Sequence, residues 1–193
     1  MDFAIANNDQ NEIVPALIEL QGFPSLFAFE VLQDEAIRNC YTIPENMSPY
    51  FNGYTKDKYL GHLSRIINGE QGEHTILLEL FPKQQKTRID FYCTNQYLSV
   101  PVVCITEIVK KGRELFYERD GVAIKINRIY NRIVADELKK QSVEIKEKAE
   151  ILYADLDVSW VTHPNHFFRI SKYLLPLLQH DYIPKTQFVD QIK

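Results

Sequence analysis

The chain has 193 residues, 45% apolar and 25% charged, the composition of a globular protein with a sizeable core. Its net charge of −4 argues against a nucleic-acid partner, which needs a basic footprint, and against electrostatic attachment to an anionic membrane. Three widely spaced cysteines, Cys40, Cys93 and Cys104, with no Cys-x-x-Cys, fit neither a disulfide framework nor a zinc knuckle. They point instead to a reducing, cytoplasmic compartment. The first nine residues lack the basic and apolar regions of a secretory signal, and no apolar run approaches the ~20 residues of a membrane span.

In chain order, Ile13, Leu17, Ile18 and Leu20 predict a short helix over Glu12–Leu20, with Pro15 near its start and Gly22 ending it. Pro24-Ser25 opens a second helical run through Leu26, Phe27, Val31, Leu32 and Ile37. Pro44, Pro49 and Gly53 mark 41–54 as a loop. Thr55 can cap a helix carrying Tyr59, Leu60, Leu63, Ile66 and Ile67, which Asn68-Gly69 stops. Residues 1–70 are therefore expected to be a helical N-terminal segment, ahead of an α/β domain over 71–193.

The nearly continuous apolar run Thr75–Phe81 predicts a strand buried on both faces of a parallel sheet, ended by Pro82. A helix over Gln84–Leu98 and a second buried strand over Val100–Ile108 complete a βαβ unit. Glu114–Glu118 and Val122–Ile126 flank Asp120-Gly121, a strong hairpin signal because both turn residues tolerate positive φ. Arg128–Asn131 continues as a short strand, Val134–Leu152 as a long charged helix, and Asp157–Val161 as another strand. Asn165 can cap a final helix, which Pro176 bends or stops. The expected fold is α/β: a three-layer, Rossmann-like, mostly parallel sheet with a β-hairpin, preceded by the helical segment.

Absent motifs narrow the chemistry. Among seven glycines there is no phosphate-binding G-x-x-x-x-G-K-[ST] or G-x-G-x-x-G, and the sequence has no G-x-S-x-G elbow and no H-E-x-x-H. His163 and His166 straddle a proline and a cap without a third ligand, so no metal site is expected there. The turn around His163 and Asn165 instead follows a parallel strand, where open α/β sheets place their ligand clefts. Arg128, Asn131 and Arg132 cluster near the end of another strand. They form either a fork for a carboxylate or phosphate, or an exposed loop paired with Asp136 and Glu137. Arg169 and Lys172 are three apart on the predicted final helix and share a face, which is a ligand contact or a solvated surface. Glu79 is unusual: a carboxylate inside a buried strand needs a partner or a raised pKa, and more often such a residue simply sits near a strand end.

The segment Gly112–Tyr117, Asp120-Gly121, Ile124, Arg128–Arg132 and Asp136–Leu138 resembles the hairpin and "iYNR…dEL" stretch of the pre-ATP-grasp domain, which precedes the ATP-binding module of many carboxylate–amine ligases. Ser171-Lys172, Leu175, Leu178 and Ile183–Thr186 are similar to the entry into that module. Trp160–Asn165 and Phe167–Lys172 resemble a bacterial branch of such proteins. The likeness runs from Thr75 to Lys193. It implies a carboxylate-bearing small molecule as substrate, bound near Arg128, Asn131, Arg132, His163, Asn165 and Arg169, with Lys172 close to the nucleotide phosphates. The family's lysine-bearing strand, phosphate-covering loop and Mg-binding carboxylates are missing from these 193 residues, so the chain alone is expected to be inactive. ATP and Mg would be supplied through the missing ATP-grasp module. A non-catalytic binding or interaction module is the alternative, for which the 11 Tyr and 11 Phe would supply contact surface as well as core.

Overall fold

The computed structural model describes the chain apart from Pro24, Ser25, Glu70 and Lys193. It divides into two compact units: residues 1–24 with 165–193, and residues 25–164.

The chain begins with strands, correcting the expected helical start. Strands β1 (Asp2–Asn7) and β2 (Ile13–Glu19) form an antiparallel hairpin, with Ile5 opposite Pro15 and Asn7 opposite Ile13. The turn is made by asparagine chemistry: Asn8 Oδ1 accepts from the amides of Gln10 and Glu12, and Asn11 adopts φ 61°. Pro15 is tolerated because the two-stranded sheet consists of edges only. The helical reading of Glu12–Leu20 failed because a few apolar residues fit either period, and pairing with Phe3–Ala6 decides the matter.

The larger unit opens with helix α1 (Phe27–Cys40) and helix α2 (Lys56–Asn68). The start expected for the first of these, Pro24-Ser25, lies outside the described residues. Thr55 caps α2 by accepting from Lys58 N, and Gly69 ends it, as the sequence indicates. Strand β3 (Thr75–Glu79) follows, then a 3₁₀ turn over Pro82–Gln84, helix α3 (Arg88–Leu98) and strand β4 (Val102–Cys104). The strand expected over 100–108 is shorter because Ile105–Glu107 turns into a 3₁₀ helix, where Glu107 Oε2 accepts from Cys104 N at 3.0 Å.

Strands β5 (Val109–Lys111), β6 (Glu114–Arg119) and β7 (Val122–Ile126) make an antiparallel sheet, its second turn at Asp120-Gly121 having positive φ at both residues. Strand β8 (Arg128–Asn131) leads into helices α4 (Ala135–Lys139) and α5 (Val143–Ala149), then strand β9 (Ser159–Val161). The single long helix expected over 134–152 is broken at Ser142, which is extended at φ −60°, ψ 162°. A straight helix of that length would run to about 28 Å. The break instead lets Leu138, Ala149, Ile151 and Leu152 all reach one core.

The central sheet is parallel throughout, in the order β4-β3-β8-β9. Successive residues of its strands feed different cores. Ile76, Leu78, Leu80 and Ile129 join Leu115, Tyr117 and Ile126 of the antiparallel sheet, together with the residues of α4 and α5. Leu77 and Tyr130 join Leu63 and Ile67 of α2 and Phe91 and Leu98 of α3. Both faces are thus covered, which is why β3 carries three consecutive apolar residues, Ile76, Leu77 and Leu78, without alternation. Helix α2 therefore shares a core with the sheet, and it lies with α1 in the larger unit.

The junction of α2 and β8 depends on Gly69, held at φ 71°, ψ −141°, a region for glycine alone. A Cβ there would collide with Glu73 and lie 2.8 Å from the Arg128 guanidinium carbon. Gly69→Ala is expected to cost about 2 kcal/mol or more of unfolding free energy, read as a lowered urea midpoint.

In the C-terminal segment, helix α6 is only His166–Arg169, followed by 3₁₀ turns over Lys172–Leu177 and Val189–Gln191. Within the smaller unit this segment bonds back to the hairpin side, Leu17 N to Tyr182 O and Gly22 N to Ile170 O, each at 2.7 Å.

Candidate functional site

Strand order places a topological switch point between β3 and β8: the chain leaves β3 toward β4 on one side and returns to β8 on the other. Open α/β sheets bind ligands outside the carboxyl ends of their strands at such a point. Here those ends carry Glu79, Asn131 and Arg132, and each is almost fully buried.

Most of the buried polar atoms are bonded within the protein. Asp90 of α3 accepts from the amides of Ala28 and Phe29, each at 3.0 Å, and so caps α1 from another element. Its second oxygen lies 3.9 Å from Arg132 Nη1, within ion-pair reach but beyond hydrogen-bond length. The Arg132 guanidinium sits over the Phe91 ring at 5.4 Å. Burial raises the Asp90 pKa, while the two α1 amides and Arg132 pull it back. Glu79 accepts from Leu80 N at 2.7 Å, and burial pushes its pKa up to about 8 despite that bond and Arg132. Thr162, at φ 66°, donates to Asn131 O at 2.9 Å and ties the end of β9 to that of β8.

The residues singled out in the sequence fall into different settings. Arg128 lies at the amino end of β8, about 10 Å from Asn131 at the strand rise of 3.3 Å per residue. It donates to Ile66 O, Ile67 O and Glu73, tying down the carboxyl end of α2, so Arg128 and Arg132 do not form one clamp. The exposed-loop alternative fails as well, because Asn131 and Arg132 are buried and Arg132 faces Asp90. His163 follows β9 with its ring edge-on to Trp160 at 5.6 Å. Asn165, Arg169 and Lys172 belong to the smaller unit. Asn165 does not cap α6 with its side chain, and Ile170 is extended, so Arg169 and Lys172 do not share a helical face. Ser171 caps the following 3₁₀ turn, and Lys172 pairs with Glu19 of β2 at 3.0 Å.

A cation-lined cleft was not evident in the sequence. It has a volume of about 320 Å³ and lies beside β4, lined by Lys83, Arg88, Arg119, Phe91, Tyr92 and Asn95 among others, with no carboxylate in its wall. Lys83 follows the carboxyl end of β3, and Arg88 begins α3. Arg88 donates to Gln85 O at 3.2 Å, and Arg119 pairs with the exposed Asp120 at 3.7 Å. The three cations come from separate elements up to 36 residues apart, and no local motif links them. Such a wall can hold a carboxylate or phosphate through forked guanidinium bonds.

Among the described residues no cluster of three or more His, Cys, Asp or Glu is placed to hold a metal ion, and no helix is long and apolar enough to cross a membrane. Cys40, Cys93 and Cys104 are all free thiols. No protein-family model matches the chain, and no curated protein is similar to it.

Proposed function

We propose that this chain is the substrate-side α/β portion of an ATP-grasp-type carboxylate–amine ligase, and that the cleft of Lys83, Arg88 and Arg119 receives the substrate's carboxylate. The observation that carries the reading is the cleft itself: three cations and no carboxylate in a concave wall, reached by the turn that leaves the carboxyl end of β3. The parallel sheet with a switch point adds support as a fold-level analogy, as does the resemblance of 112–138 and 171–186 to pre-ATP-grasp sequences. In this reading the sheet and its two coverings are a three-layer Rossmann-like core, and the protein works in the cytoplasm.

The chemistry would divide between modules. ATP and Mg would be held by a neighbouring ATP-grasp module, with Lys172 turned from Glu19 toward the nucleotide phosphates. The bound carboxylate oxygen would attack the γ-phosphorus, releasing ADP, and an amine would then displace phosphate from the acyl phosphate. The arginines would hold the carboxylate and offset its charge during approach of the phosphate.

The test is an amide NMR titration of the 193-residue chain with succinate, glutamate, inorganic phosphate and neutral succinamide. Saturable shifts at Lys83, Arg88, Tyr92, Asn95 and Arg119 are expected with the dicarboxylates only, weakened about tenfold by Arg88→Ala, the range of a lost charged hydrogen bond. Shifts equal for succinamide, no saturable shifts with either dicarboxylate, or phosphate binding tighter than either would overturn the assignment.

A further inference from the structure

A second cleft in the larger unit, of about 370 Å³, is walled by aromatic rings: Tyr50, Phe51, Tyr54 and Tyr59, with Pro49 and Glu30 beside them. We infer that it is a binding site for an organic ammonium group, held by cation–π contact with these rings and by the Glu30 carboxylate.

Three features carry this beyond a patch of apolar surface. Three of the four rings are held in place before any ligand arrives. Tyr59 donates its hydroxyl to Phe27 O at 3.0 Å, Tyr50 packs on Tyr59 with centroids 5.6 Å apart, and Tyr54 meets His62 edge-on at 6.0 Å. The neighbouring cations are already occupied: Arg38 pairs with Asp34 at 2.9 Å and donates to Met47 O, and Lys56 pairs with Glu35. Glu30, in contrast, has no ion-pair partner among the described residues, so one negative charge is left in an aromatic wall. Partial desolvation of its carboxyl group, with Asp90 nearby, also pushes Glu30 above its ordinary pKa, the direction expected of a carboxylate without a counter-ion.

The chemistry of that wall selects its occupant. The negative faces of the rings attract a diffuse cation, and a methylated or alkyl ammonium sheds its water more readily than a metal ion. A neutral apolar ligand would gain ring contact but nothing from Glu30. The wall comes from α1, the 41–54 loop and the start of α2, so the site does not depend on the anion cleft or on the ligase reading.

The test uses choline and its uncharged isostere 3,3-dimethyl-1-butanol, titrated into the 193-residue chain and followed by amide and aromatic NMR. Choline is expected to shift Tyr50, Phe51, Tyr54 and Tyr59 and to bind at least about fivefold tighter than the isostere. Phe51→Leu and Glu30→Gln should each weaken choline by about three- to tenfold, and Glu30→Gln should leave the isostere unchanged. Phe51 is 82% exposed and Glu30 is also exposed, so neither change disturbs the core. Equal affinity for the two compounds, or choline shifts outside these rings, would overturn the assignment, as would the absence of saturable choline binding.

Discussion

Asp90→Ala is expected to lower the unfolding free energy by about 3–5 kcal/mol, the cost of breaking a buried ion pair. Two losses combine at this residue. The amides of Ala28 and Phe29 lose the Asp90 acceptor at the start of α1, where Leu26 supplies no side-chain cap. Arg132, 3% exposed, is left facing the vacated position. Asp90→Asn retains an acceptor for the amides and surrenders only the charge, so it should cost less. The decisive comparison is Arg132→Met in the Asp90→Ala background: with no charge left to strand, it should recover part of the loss. Urea unfolding of the four proteins reads all of this. If Asp90→Ala falls within about 1 kcal/mol of the parent, then this carboxylate does not couple α1, α3 and β8.

That coupling explains a feature of the fold that propensity does not. Helix α1 carries no cap of its own among the described residues, and its amino end is satisfied across 62 positions of sequence. The polar residues at the carboxyl ends of β3 and β8 lie inside the structure, where they fix the relative placement of helix and sheet. Lys83, Arg88 and Arg119 line a concave wall that holds no carboxylate, and for this reason the ligand reading moves to them.

How far residues alone could lead is clear from these elements. Strand β3 was legible because an apolar run bounded by Gly72 and Pro82 has few alternatives. The β6–β7 hairpin was legible because Asp120-Gly121 states its turn locally, and α2 because Thr55 and Gly69 mark both ends. The β1–β2 hairpin was not, since its turn relies on Asn8 and Asn11, weaker signals than Asn-Gly, and its strands bury little. The break at Ser142 was hidden because the charged sequence around it favours helix on any local scale, and only the shared core demands a bend. Site residues fared similarly. Glu79 stood out as a carboxylate in an apolar run; it is the last residue of β3 and is buried there, which raises its pKa. Arg128 and Arg132, close in sequence, project to opposite ends of one strand, whereas Lys83, Arg88 and Arg119 meet only through tertiary structure.

Glu79→Gln is expected to stabilise the protein above neutral pH, by up to about 4–5 kcal/mol and by about 2–4 kcal/mol once partial relaxation is allowed for. The folded pKa of about 8 lies above the ordinary 4.5, so the native state keeps a proton that the unfolded chain releases. The contribution of this group is therefore present in full below about pH 4.5. It is lost progressively between pH 4.5 and 8 and is constant above that; at 1.36 kcal/mol per pKa unit the whole interval sets the upper figure. Glutamine keeps an oxygen for the Leu80 amide and cannot ionise, so it removes this slope without removing the bond. Subtracting the variant's stability curve from the parent's, from pH 4 to 9, should give a difference near zero at the acid end that widens through pH 6–8. A flat difference would mean that Glu79 is ionised in the folded protein at neutral pH. The Arg132 guanidinium would then be its counter-charge as well as that of Asp90, and the carboxyl edge between β3 and β8 would hold two anions around one cation.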